Sequence, residues 1–184
     1  MHQLLRLSRW IDSLNEQIGR LTYWLALLMV GVGTWNVAGR YVGRAVGQNL
    51  SSNALIEIQW YIFDLLFLLG GAYALKHDEH VRMDVVQHRF SVKYRALADF
   101  IGTILFLIPF CVVVIIYAWN PVINSWRILE MSSDPNGLPR YPIKAMILVS
   151  FFLLILQGIS EAIKKFAIFQ GILKPVQERH ESEL

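Results

Sequence analysis

One acidic side chain, Asp64, lies well inside a long apolar stretch of the chain, residues 58–75. A carboxylate in hydrocarbon costs about 2.5–3.5 kcal/mol on membrane-insertion scales, so such a group usually faces protein or water and is a candidate for function. On a helix, Asp64 shares one face with Glu57, Trp60 and Gly71, and the glycine allows close approach of a neighbour. We expect this face to contact protein. The carboxylate would serve either proton or cation coupling or an assembly contact; we favour assembly, because no second polar span accompanies it.

The histidines and the single cysteine do not indicate a metal or cofactor site. His77 and His80 lie beside acidic residues, as the ligands of a metal site can. A polar stretch directly after a membrane helix is more often a solvated connector. All five histidines lie outside the long apolar stretches, so no pair is placed to hold a haem between helices. Cys111 is alone, which excludes an internal disulfide, and no glycine-rich nucleotide motif is present. We predict that the chain is not an enzyme and has no cofactor.

The composition points to a lipid bilayer. The 184 residues are 55% hydrophobic and 17% charged, whereas a soluble domain has about a quarter charged residues and slightly less than half apolar ones. The formal charge of +3 comes from basic residues scattered between apolar runs, which is typical of membrane helices and their flanks and argues against a nucleic-acid partner.

Four stretches are long and apolar enough to cross about 30 Å of hydrocarbon, which takes roughly 20 residues. They cover about residues 21–39, 58–75, 100–126 and 145–163. The first is too long for a signal peptide and should stay in the mature protein. The third would reach roughly 40 Å at 1.5 Å per residue, so it must tilt, kink at Pro109 or continue past the bilayer near Pro121.

Two further segments have a helical spacing of apolar residues. Residues 1–20 and 83–97 carry them three and four apart, which predicts an N-terminal and a cytoplasmic amphipathic helix in the membrane interface. The expected fold is therefore an all-α membrane protein with a four-helix membrane domain over residues 21–166 and a C-terminal tail over residues 167–184.

The basic residues also predict the orientation. Twelve of the 17 Lys and Arg residues flank the N-terminus, the connection between spans two and three, and the C-terminus. The other five are Arg40, Arg44, Arg127, Arg140 and Lys144. By the positive-inside rule both termini are cytoplasmic, and the turn-rich loop over residues 127–144 lies outside.

Several short motifs resemble one family of membrane proteins, the small permease (DctQ-type) subunits of tripartite ATP-independent periplasmic, or TRAP, transporters. The motifs are Glu57-Ile-Gln-Trp60-Tyr61, Gly70-Gly71-Ala72-Tyr73-Ala74-Leu75, His80-Val81-Arg82-Met83-Asp84-Val85 and the loop from Ser132 to Lys144. The loop looks like the branch often labelled for mannitol, chloroaromatic or keto-acid uptake. The resemblance covers the chain from the first span to the fourth, and Met83 is a small departure where Val or Ile is commoner.

This resemblance implies a function in the bacterial inner membrane. A periplasmic binding protein would deliver an organic anion, of carboxylate or sulfonate type, to a large permease subunit that holds the substrate and sodium sites. The small subunit would bind no substrate, sodium or other cofactor itself. Embedded in membrane lipids, it would be a scaffold, or stator, for the large subunit and would help to dock the binding protein.

Two sets of contact residues go with this expectation. Candidates for the subunit interface are Glu57, Trp60, Asp64, Gly71, His80, Arg82 and Asp84. Candidates for docking the binding protein are Arg127, Glu130, Asp134, Arg140 and Lys144. The main alternative is a self-contained, proton-coupled small exporter that uses Asp64, and a third possibility is the membrane anchor of a redox complex, which the position of the histidines weakens.

The orientation can be tested by thiol labelling. In a Cys111→Ser background, a cysteine at Asn136 should react with an impermeant reagent in intact cells, whereas a cysteine at Ser182 should react only after the cells are opened. Labelling of the Ser182 position in intact cells would reverse the orientation.

Overall fold

A computed structural model of the chain describes residues 2–48, 51–77 and 92–173, and its regular structure there is helical. The helices are α1 (His2–Val46), α2 (Asn53–Lys76), α3 (Val92–Gly102), α4 (Ile108–Arg127) and α5 (Tyr141–Phe169), and a π-helical turn, Thr103–Leu107, joins α3 to α4. Together they give four rods that are long and apolar enough to cross a membrane. The predicted all-α fold with four spans is confirmed.

Helix α1 is a single rod of 45 residues. At 1.5 Å per residue it is about 67 Å long, more than twice the thickness of the hydrocarbon core. The sequence predicts a separate interfacial helix over residues 1–20 and a span over residues 21–39, but the structure has no break between them. The N-terminal segment is the first half of the same rod and runs lengthwise along the bundle.

The reason lies in the face that this first half buries. The buried residues are Ser8, Ile11, Asn15, Gly19 and Thr22, which recur at spacings of three and four. Part of the apolar stripe that the sequence emphasises is turned outward, since Leu4, Leu7 and Leu21 are each about half exposed. A mixed face of small, polar and apolar side chains therefore holds the helix against its neighbours, with Leu14 and Ile18 packed beside the core.

Helices α1 and α2 run antiparallel in one constant register. Glu16 forms an ion pair with Lys76 at 2.6 Å, a side chain at Gly19 would meet the ring of Tyr73, and one at Gly33 would meet the amide of Gln59. The number of residues from Glu16 to Gly33 on α1 equals the number from Lys76 back to Gln59 on α2, so the register does not change between these contacts. The two glycines are thus the close-approach points of this helix pair.

The register defines two ends of the bundle. The terminal end holds the start of α1, the end of α2 and the end of α5. The loop end holds Val46, Asn53 and the loop over residues 128–140 that joins α4 to α5. A small apolar core of Leu69, Ala72 and Leu153 lies between α2 and α5.

The third rod is helical from Lys93 to Arg127, past both Pro109 and Pro121. Proline has no N–H to continue the helical hydrogen bonds, and a π-turn is one way in which a helix absorbs such a defect. The turn ends two residues before Pro109 and packs on Gly158 of α5, where an added Cβ would lie 3.1 Å from Leu107.

The predicted cytoplasmic amphipathic helix lies mostly outside the described residues. Its last part, including Tyr94 and Leu97, belongs to α3 and continues directly into the third rod. Helix α5 extends to Phe169, past the expected end of span four, and residues 174–184 of the predicted tail are outside the described residues.

The α1 and α2 contact can be tested with two glycine substitutions. Gly19→Ala should destabilise the purified chain in detergent by about 1–3 kcal/mol, because the new methyl group meets the ring of Tyr73. Gly31→Ala is the matched control, since nothing lies within 4 Å of its Cβ position. Both substitutions increase the helix propensity by the same amount. Equal thermal unfolding of the two variants would contradict the proposed contact.

Candidate interaction surfaces

The loop between α4 and α5 is folded against itself. The Arg140 N–H donates to the Glu130 carbonyl at 2.8 Å, and the Ser132 N–H donates to the Leu138 carbonyl at 3.0 Å. At the tip, Asn136 adopts a left-handed conformation with φ of 58°, which asparagine tolerates better than most residues. The predicted outer connector is therefore an ordered hairpin-like loop.

Glu57 fastens this loop to the start of α2. Its side chain is only 3% exposed, and its carboxylate accepts hydrogen bonds from the Leu138 N–H at 2.5 Å and from the Ser132 hydroxyl. The Arg140 guanidinium donates to the same Ser132 oxygen at 3.4 Å. The Tyr61 hydroxyl, one turn along α2, donates to the Pro139 carbonyl at 3.3 Å. Glu57, predicted for the subunit interface, is thus engaged by its own chain.

The five predicted docking residues divide into two groups. Glu130 pairs with Lys144 at 2.5 Å, and the Lys144 ammonium holds the pKa of the Glu130 carboxyl below its usual value. Because Arg140 donates a hydrogen bond to Ser132 of the same loop, three of the five predicted docking residues stabilise the loop. Arg127 and Asp134 are exposed, and among the described residues neither side chain has a hydrogen-bond or ion-pair partner.

A second surface lies on α2 and points away from the bundle. We call it the α2 stripe, and it consists of Trp60, Phe63, Asp64, Phe67 and Gly71. The three aromatic side chains are between 55% and 71% exposed, and Asp64 is exposed between them. Within the described part of the chain, its carboxylate has no hydrogen bond or ion pair. Nothing lies within 4 Å of the Gly71 Cβ position, so the stripe has room for a neighbouring helix.

The sequence places Glu57 and Asp64 on one face of α2, but the structure separates them. Glu57 and Tyr61 turn towards the loop, whereas Trp60 and Asp64 turn outward. The other interface candidates, His80, Arg82 and Asp84, lie outside the described residues.

Sequence reasoning missed a buried polar network between α1 and α5. The Asn15 amide donates to Gln157 at 2.8 Å, and Gln157 donates to Asp12 at 2.9 Å. Asp12 also accepts from the Ser160 hydroxyl at 2.8 Å and from the Lys164 ammonium at 3.1 Å. The spacing of Ser8, Asp12 and Asn15, four and three apart, was the available signal, because it puts three polar groups on one helical face.

The family model for the DctQ component of tripartite ATP-independent periplasmic transporters matches residues 29–167. This range runs from the middle of α1 to near the end of α5 and includes both the α2 stripe and the folded loop. No curated protein and no solved structure matches the chain.

The link between Glu57 and the loop predicts a local change in stability. Glu57→Ala should speed hydrogen exchange at the amides of Ser132 and Leu138 by the equivalent of about 1–3 kcal/mol, because it removes a buried acceptor. Asp134→Ala is the control, since this exposed carboxylate of the same loop has no side-chain partner among the described residues. Equal exchange in the two variants would show that Glu57 does not hold the loop.

Proposed function

The chain belongs to the family of DctQ components of TRAP transporters, and from this membership we propose that it is the scaffold of a larger permease subunit. Membership makes it a multi-pass protein of the inner membrane and a transporter subunit, not an enzyme. The proposal adds that the transporter uses a sodium gradient to take up organic anions of carboxylate or sulfonate type. A soluble periplasmic protein would bring the anion, and the large subunit would hold the substrate and the sodium.

The observation that carries the scaffold proposal is the exposed carboxylate of Asp64. On the α2 stripe it lies among aromatic side chains at membrane depth, where facing lipid would cost about 2.5–3.5 kcal/mol. A protein partner with a cation or hydrogen-bond donor removes this cost. Trp60, Phe63 and Phe67 around it offer the rigid aromatic area that is typical of strong protein contacts. We assign the α2 stripe to the large permease.

Contacts at both ends of the bundle support a stator. At the terminal end, the Glu16 carboxylate binds Lys76 of α2 and His77 directly after it, while Asp12 binds Lys164 of α5. At the loop end, Glu57 holds the folded loop on α2. Helices tied at both ends resist sliding, as a fixed support for a moving neighbour must.

The proposed orientation puts the terminal end in the cytoplasm and the loop end in the periplasm, as the distribution of Lys and Arg predicts. The folded loop then offers an ordered surface to the binding protein, with Arg127 and Asp134 free to meet it. The conformation of that surface would be stabilised by Glu130, Arg140 and Lys144.

The unpartnered state of Asp64 among the described residues also favours a second candidate. In a proton-coupled exporter, a single accessible carboxylate in the membrane would bind and release the proton. The two candidates differ in what Asp64 does: in the scaffold it holds a partner, and in the exporter it takes part in coupling.

Two substitutions at Asp64 separate these functions. Asp64→Asn keeps the shape and most hydrogen bonds, so we expect a complex that still transports, with an unchanged dependence on sodium concentration. Asp64→Leu removes all polar contacts and should lower the recovery of the large subunit with this chain in detergent. Thr34→Val, at another exposed polar side chain on α1, is the control and should change neither measurement.

The opposite result would support the exporter. If Asp64→Asn abolishes transport while the complex stays fully assembled, Asp64 belongs to the coupling chemistry and the scaffold proposal is wrong.

A further inference from the structure

The loop end of α1 extends past the start of α2. At the register fixed by Gly33 and Gln59, Gly39 lies level with Asn53, the first residue of α2. The loop between α4 and α5 reaches this same level, where the Asn53 amide donates to the Pro135 carbonyl at 3.3 Å. Helix α1 continues to Val46, about 10 Å further at 1.5 Å per residue. We call residues 40–46 the α1 tip.

The tip lies beyond the predicted first span. That span is expected to end at Gly39, which lies level with Asn53 at the same register. Arg44 is five residues further, or about 7–8 Å along the helix. Since the headgroup layer adds only about 5–8 Å on each side of the hydrocarbon, Arg44 lies at the outer boundary of that layer.

The surface of the tip is both cationic and apolar. Arg40 and Arg44, one helical turn apart, are exposed, and neither guanidinium has a hydrogen bond or ion pair in the part of the chain that the structure describes. Beside them Tyr41, Val42 and Val46 are between 50% and 69% exposed. Near the outer boundary of the headgroups these side chains can be reached by a soluble protein, and tyrosine with arginine is a typical composition of protein interfaces.

The other basic residues of the loop end are mostly neutralised. Lys144 pairs with Glu130, and Arg140 binds Ser132 beside the Glu57 carboxylate. Among the described residues of the loop end, positive charge without a partner is therefore concentrated at the α1 tip, with Arg127 as the remaining exposed cation of the loop. An acidic surface is the complement of this distribution.

We propose that the α1 tip is a docking site for an acidic, partly apolar surface of the soluble periplasmic binding protein. The inference rests on the proposed function, because it takes the periplasmic partner from there. Arg40 and Arg44 attract and orient the partner, and Tyr41 supplies contact area. The tip was not among the docking residues expected from the sequence, which lie on the loop over residues 127–144.

The test uses the complete complex in proteoliposomes and varies the concentration of binding protein. The double variant R40E/R44E should need about tenfold more binding protein or above for half-maximal uptake, with an unchanged maximal rate, because reversed charges act mainly on encounter. R40Q/R44Q should also raise the concentration of binding protein needed for half-maximal uptake, but by less. R6E, at the exposed arginine near the other end of the same helix, is the control and should behave as the unmodified complex.

Three results would overturn the inference. An unchanged concentration dependence in R40E/R44E would show that the tip does not dock the binding protein. Loss of the large subunit on purification of R40E/R44E would assign the tip to the permease contact. Loss of co-purified phospholipid, measured by mass spectrometry, with normal uptake would make the arginines lipid anchors. An unmodified complex that takes up nothing with added binding protein and sodium would instead overturn the proposed function, and this inference with it.

Discussion

The rest of the structure depends on the polar network that joins the first half of α1 to the second half of α5. In an apolar environment a buried polar group costs several kcal/mol unless it is bonded, so the hydrogen bonds from Asn15 to Gln157 and from Gln157 to Asp12 favour the observed register of the two helices. This register holds α1 along the bundle instead of letting it lie flat in the interface. Lys164 offsets the charge of Asp12 and makes the burial tolerable.

The position of α1 in turn arranges the opposite end of the molecule. A continuous helix held at its start carries its last two turns past the start of α2. The same packing leaves one side of α2 uncovered, since α1 and α5 contact its other sides. A scaffold subunit needs both features: a rigid body within the membrane, and surfaces that remain available for partners on either side of the bilayer boundary.

The two carboxylates of α2 show how environment decides the function of a residue type. Glu57 is buried and bonded to the backbone of its own loop, whereas Asp64, about two turns away, is exposed among aromatic side chains. A search by residue type and helical face puts both at one subunit contact. Only the path of the loop, which returns over Glu57, distinguishes them, and that path depends on contacts between residues more than seventy positions apart.

The sequence by itself determined the membrane class, the four spans and the family motifs, because span length and apolar composition are local properties set by the thickness of the bilayer. It could not determine whether residues 1–20 form a separate helix, since their apolar and polar stripes are both regular and packing against α2 and α5 selects between them. It also could not say that Glu57 is buried against its own loop and Asp64 is exposed. Those choices are made by long-range hydrogen bonds, whose partners cannot be read from the spacing of neighbouring residues.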